Sequence, residues 1–202
     1  MEKPFRLLKT AAWLAMGLCV LFSLLSFETT ADSVRGSVLR LHVIANSDSA
    51  ADQALKLRVR DALLKKSKAL AAAKTKQQAE QTLRKQLPLF QQTARQVVRS
   101  QGYTYDVRVS LEHTAFPTRT YGSYTLPAGS YDALRVVIGS GRGKNWWCVM
   151  FPPLCLPAAC GGAAPEDVLS GEALCLMQQE PRYEVRFWLL EQWEKVKERI
   201  SR

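Results

Sequence analysis

At 202 residues, with 47% hydrophobic and 23% charged side chains, the chain can supply one globular domain and has no room for a second catalytic one. Its formal net charge is +10, and its five cysteines depend for their chemistry on the compartment in which the chain folds.

The N-terminus addresses that compartment. Lys3, Arg6 and Lys9 precede an uncharged run from Ala11 to Phe27 (AAWLAMGLCVLFSLLSF), and Glu28 ends it. A basic flank followed by an apolar run is the pattern of an export segment whose positive end stays in the cytoplasm. The run is long for a signal core and short for a membrane span. Thr29-Thr30-Ala31 places a small residue before Asp32, so a cleaved signal and a retained anchor both fit. Residues 1–31 are assigned to targeting or anchoring, and residues 32–202 to a single exported domain. Export turns the positive charge away from nucleic acid and toward anionic headgroups or an acidic protein surface.

The first element of that domain is a strand, Val38 to Ile44, with Leu39, Leu41 and Val43 on one side and Val38, Arg40, His42 and Ile44 on the other. His42 reads as a partly exposed or packing residue. ANSDSAAD, Ala45 to Asp52, is rich in helix-start residues, and Ser49 with Asp52 has capping-box spacing. The helix that follows carries an apolar stripe of Leu55, Val59, Ala62 and Leu63, sets Lys56 apart from it, and runs to about Ala73. A second helix, Lys76 to Ser100, keeps Leu83, Leu87, Phe90, Ala94 and Val97 on one face, with a kink or break expected near Leu87 because of Pro88.

Alternation then predicts a strand over Tyr103 to Leu111, a proline-broken edge segment in FPTRTYG, and a strand from Tyr131 to Ile138. A last strand, Asn145 to Phe151, is apolar on both sides, with Trp146, Cys148 and Met150 facing one way and Trp147, Val149 and Phe151 the other. LPAACGGAAPEDVLSG reads as a surface loop. Val185, Trp188, Leu189, Trp193 and Val196 form the stripe of a C-terminal helix. The fold class is α+β, a mostly antiparallel sheet packed against helices behind an N-terminal export or transmembrane segment.

The chemistry concentrates in GSGRGKNWWCVMFPPLC, Gly139 to Cys155. It is not a phosphate loop: three residues separate Gly139 from Gly143 where a Walker loop needs four, and Asn145 stands where the hydroxyl belongs. A thiol active site at Cys148 would need a histidine, and His42 and His113 lie in no thiol-enzyme motif. The stretch reads instead as a hairpin: strand Ala133 to Ile138, a glycine turn, and a return strand ending at Cys155. Four cysteines beyond the export segment allow three full pairings, and Cys148 with Cys155, flanking a proline-stiffened loop, is the expected disulfide. The cysteine spacing matches no zinc pattern, and no cofactor motif is present.

LRLHVIANSDSAADQALKLRVRD (Leu39 to Asp61), FPTRTYG (Phe116 to Gly122) and LPAGSYDALRVVIGSGRGKNWWCVMFPPLC (Leu126 to Cys155), in order behind one export segment, resemble the stage II sporulation protein R family. The resemblance implies a secreted or anchored signal in the space between forespore and mother cell. It also implies a partner, a membrane-embedded aspartic protease that matures a mother-cell sigma-factor precursor, and an activator that is not itself an enzyme. It does not fix the contact residues. Trp146, Trp147, Arg119 and Tyr121 are the expected partner contacts, with Asn46, Ser47 and Asp48 as a second polar patch. An exported hydrolase acting on cell wall through Cys148, and a structural envelope module, are the competing readings.

Overall fold

The computed structural model describes residues 2–154, residues 165–178 and residue 192. The elements are α1 (Glu2–Ser37), β1 (Leu39–Ile44), α2 (Ala50–Lys66) with a 3-10 extension (Ser67–Ala72), α3 (Lys76–Ser100), β2 (Val107–Phe116), β3 (Arg119–Tyr121), β4 (Tyr124–Leu126), β5 (Gly129–Ile138), β6 (Asn145–Phe151), α4 (Pro165–Val168) and α5 (Gly171–Gln178). The main sheet has the order β2-β5-β1-β6, and β3 and β4 form a separate two-stranded hairpin. β1 runs parallel to β5 and antiparallel to β6, and β2 runs antiparallel to β5. The α+β class holds, with two of the three pairings in the main sheet antiparallel.

One structural difference from the sequence reading reorganises the molecule. β5 and β6 are not hairpin neighbours, because β1 lies between them and pairs with both. Local alternation cannot reveal an inserted strand, since the residues that separate β5 from β6 lie some ninety positions earlier in the chain. The glycine stretch is therefore a bridge over the end of β1. It needs Gly139 (φ +57°) and Gly141 (φ +64°) in the left-handed region where a side chain is strained.

Both faces of the sheet are covered. On one, Leu39, Leu41, Val43, Leu134, Val136 and Met150 pack against Leu55, Val59 and Leu63 of α2 and Leu83, Phe90 and Ala94 of α3. Ser49 caps α2 by accepting the Asp52 amide at 3.1 Å, as its spacing predicts. α3 passes through Pro88 without a break. The ring lies on the exposed side, where water can satisfy the carbonyl it leaves unbonded. The strand predicted to begin at Tyr103 begins at Val107, and Tyr103 and Tyr105 pack against the core from outside the sheet.

On the other face Val38, Phe116, Leu126, Tyr131, Ala133 and Val149 pack against α1 and α5. Two expectations change here. Part of the predicted surface loop is helical, as α4, and beyond that loop α5 buries Ala173, Leu176 and Met177. The apolar helix also does not end at the assigned boundary: α1 continues to Ser37 and buries Phe27, Ala31 and Val34. Arg35 locks it down, donating through Nε (3.1 Å) and Nη2 (2.6 Å) to the Ala128 carbonyl and pairing with Asp32 (2.6 Å) and Glu28 (3.2 Å). From Ala11 onward α1 is long and apolar enough to cross a membrane, with Trp13, Leu14, Leu18 and Phe22 exposed. The predicted C-terminal helix lies outside the described residues.

A chain starting at Asp32 lacks the Phe27 and Ala31 packing and the Glu28 partner of Arg35. Its unfolding free energy in urea should fall by about 3 kcal/mol or more below that of a chain starting at Ser26, since removing a buried phenylalanine alone carries that magnitude. Equal midpoints and slopes would mean that this end of α1 contributes nothing to the fold.

Candidate functional site

β1 is buried along its whole length, so the side that carries Arg40 and His42 has no access to water and must satisfy them internally. Arg40, fully buried, lies over the Phe116 ring at 4.2 Å, the Tyr131 ring at 4.8 Å and the Tyr121 ring at 5.5 Å. Its Nη2 donates to the Tyr121 hydroxyl (2.6 Å), Nε reaches the Cys148 carbonyl at 3.4 Å, and Nη1 has no hydrogen-bond partner among the described residues. Desolvation lowers the pKa of this guanidinium, opposed by the two tyrosines. Burial in turn pushes the Tyr131 phenol up to about 12, so it stays a neutral donor to the Pro127 carbonyl (2.6 Å).

His42 continues the same stack. Its ring lies 3.9 Å from that of Trp147 at an interplanar angle of 20°, and Phe116 meets Trp147 edge-on at 4.7 Å. Nε2 lies 2.9 Å from Asn145 Oδ1. Burial holds the imidazole down at about 4, against the opposing pull of that hydrogen bond. Next to it Glu112, kept below the usual carboxylate range first by the Ser110 hydroxyl (2.6 Å), pairs with Arg135 (3.1 Å).

The predicted contact residues separate. Trp147 and Tyr121, both half-buried, flank Phe116 on the α1 side of the sheet, with Arg119 exposed on the same hairpin as Tyr121. Trp146 faces the helical side, under the Arg60 guanidinium at 4.1 Å. Asn46, Ser47 and Asp48 are occupied in holding the glycine bridge. Asn46 accepts the Ser140 amide (2.9 Å) through Oδ1 and the Ser140 hydroxyl (2.7 Å) through its carbonyl, and Asp48 accepts the Lys144 amide (2.7 Å). Asn46 Nδ2 (2.9 Å) and the Ser47 hydroxyl (2.5 Å) both donate to Asp52. Lys56, set apart from the apolar stripe in sequence, is buried and donates to the Lys144 carbonyl (3.0 Å).

Cys148 is buried and disulfide-bonded, and it projects from the opposite face of the sheet to His42. A Cys148 thiolate activated by His42 therefore has no geometric basis. Cys155, its expected partner, lies outside the described residues.

The sequence profile described as stage II sporulation protein R matches residues 35–160, which contain β1, the aromatic stack and the glycine bridge. The chain belongs to the stage II sporulation protein R family. It is 37% identical over 136 residues to the stage II sporulation protein R of Bacillus subtilis strain 168, across 67% of this chain and 61% of that relative. No solved structure matches it. The family supports a role in sporulation, and the N-terminal apolar helix fits a signal or anchor segment.

Arg40 escaped the sequence reading of this stage II sporulation protein R family member. Alternation placed it opposite the leucines, where an arginine normally meets water. The signal was Val38 and Ile44 on that same side, which marks a strand covered on both faces.

A Cβ on Gly143 would sit 2.2 Å from the Ser47 carbonyl oxygen, so Gly143→Ala should lower unfolding free energy in urea by about 1–3 kcal/mol, with Ser140→Ala, which removes one hydroxyl, costing less. His42, with a native pKa near 4 against 6.5 when unfolded, gains a proton on unfolding between those values. That stability is present above about 6.5 and is lost as pH falls toward 4. The urea midpoint of the wild type should drop more steeply across that window than that of His42→Gln, and parallel profiles would remove His42 as the cause.

Proposed function

We propose that this protein is an exported intercellular signal of endospore formation that binds and activates a membrane-embedded aspartic protease, which then matures a mother-cell sigma-factor precursor. Membership of the stage II sporulation protein R family carries the reading. The continuity of an apolar helix with the folded core supports it, because a domain joined to a membrane-crossing helix meets a membrane protein without a long search.

An activator has to bind one state of its protease better than another, and a tenfold shift requires about 1.4 kcal/mol of differential binding. A half-exposed tryptophan in a rigid stack can supply that. Trp147, Tyr121 and Arg119 are the proposed contact set, on the face from which α1 emerges. Trp146 and the Asn46–Asp48 loop serve the fold. A disulfide between Cys148 and Cys155 is proposed to close the end of β6 after export.

Co-expression of the precursor, the protease and this protein in cells lacking other sporulation factors tests the reading. Trp147→Ala should reduce precursor processing by about tenfold or more at unchanged export, while Gln92→Ala on the exposed side of α3 leaves it unchanged. Circular dichroism melting must show that the variant is folded. A structural envelope module would bind the protease without altering turnover. Equal processing in the absence of this protein would overturn the activator reading.

A further inference from the structure

Among the described residues the main sheet has an open edge at β2. β2 pairs with β5 on one side through its even-numbered residues, as the Gly139 amide bonding to the Asp106 carbonyl (2.8 Å) shows at its entrance. The odd-numbered backbone groups point the other way. At the start of the strand the fold covers them itself: Gln91 of α3 donates to the Val107 carbonyl and accepts the Val109 amide (2.8 Å). Beyond that point Leu111, His113 and Ala115 continue the outward row with no strand beside them among the described residues. Leu111 and Ala115 are partly exposed and His113 is exposed. A row of unpaired amides and carbonyls is a template for another strand.

The groove at the Val107–Glu112 end of this edge indicates the charge of the occupant. It encloses about 630 Å³ and is lined by Arg95, Arg108, Arg135, Glu112 and Val137; Arg95 pairs with Asp106 (3.4 Å), which leaves Arg108 as its guanidinium with no ion pair among the described residues. Glu112 is already neutralised by Arg135. A second copy of this chain carries the same net charge of +10 and is disfavoured as the occupant by overall repulsion.

We infer that the β2 edge from Leu111 to Ala115 receives an extended acidic segment of the partner protein as an added strand. The outward amides and carbonyls supply the ladder, and Arg108 in the adjoining groove takes an acidic side chain. This rests on the protease-activator reading for the identity of the partner, and it adds a contact remote from Trp147 in sequence.

Proline separates the backbone from the side chain at this edge. Because the His113 amide points away from β5, His113→Pro removes a docking donor without removing a bond of the sheet. His113→Ala removes the imidazole contact with Asp132 (3.0 Å) but keeps the amide. In the same co-expression assay with the full chain, His113→Pro should process precursor at least about fivefold less than His113→Ala. Ala115→Pro against Ala115→Ser repeats the test at a second outward amide, should one proline variant fail to melt cooperatively. Amide exchange of the full chain in membranes with and without the protease should slow at Leu111, His113 and Ala115. Proline variants matching their Ala and Ser counterparts, or exchange unchanged by the protease, would overturn the edge as a docking site. Wild-type protein that fails to stimulate processing would instead overturn the activator reading, and the exchange measurement would still decide the edge.

Discussion

A guanidinium with no carboxylate beside it among the described residues is held at the centre of this protein, and five strands are arranged around it. Arg40 projects from β1, Phe116 ends β2, Tyr121 closes β3, Tyr131 lies on β5, and the Cys148 carbonyl belongs to β6. A desolvated cation over an aromatic face gains about 2 kcal/mol from the ring quadrupole, and here three rings share it. Such a charge tolerates few arrangements of its neighbours. If the β3–β4 hairpin moved away, the guanidinium would lose its hydrogen bond to Tyr121 and one of its rings. The box therefore fixes the hairpin against the sheet and sets Tyr121 and Arg119 on the same side as Trp147.

The second organising feature is topological. Inserting β1 between β5 and β6 obliges the chain to step over its end, and the loop after β1 supplies the grip. The glycines of the bridge and the polar residues of the grip are parts of one device. Asn46 accepts the Ser140 amide and hydroxyl and Asp48 accepts the Lys144 amide, donors that the bridge would otherwise leave to solvent. That accounts for a cluster of polar residues which, taken alone, resembles a recognition patch.

These two features give the surface its division of labour. The helical side is closed by α2 and α3, and there Trp146 sits under Arg60. The α1 side leaves Trp147 half-exposed over a neutral, buried His42, next to the helix that fits a signal or anchor segment. An apolar helix that enters the core through Phe27, Ala31 and Val34 holds the domain in a fixed relation to itself, and with it the face that carries the aromatic stack.

The sequence by itself determined the elements whose cause is local. Side-chain period located β1, α2, α3, β5 and β6, Ser49 marked the start of α2, and the basic flank with its apolar run marked α1. Three ordered motifs carried the family. Only the tertiary structure decided what depends on contacts between distant positions. It placed β1 between β5 and β6, extended α1 past Ala31 into the core, folded α4 from residues that read as a loop, and enclosed Arg40. The physical reason is common to all of them. Periodicity reports which side of an element is apolar, whereas burial of a polar or small residue depends on what the rest of the chain brings to that side.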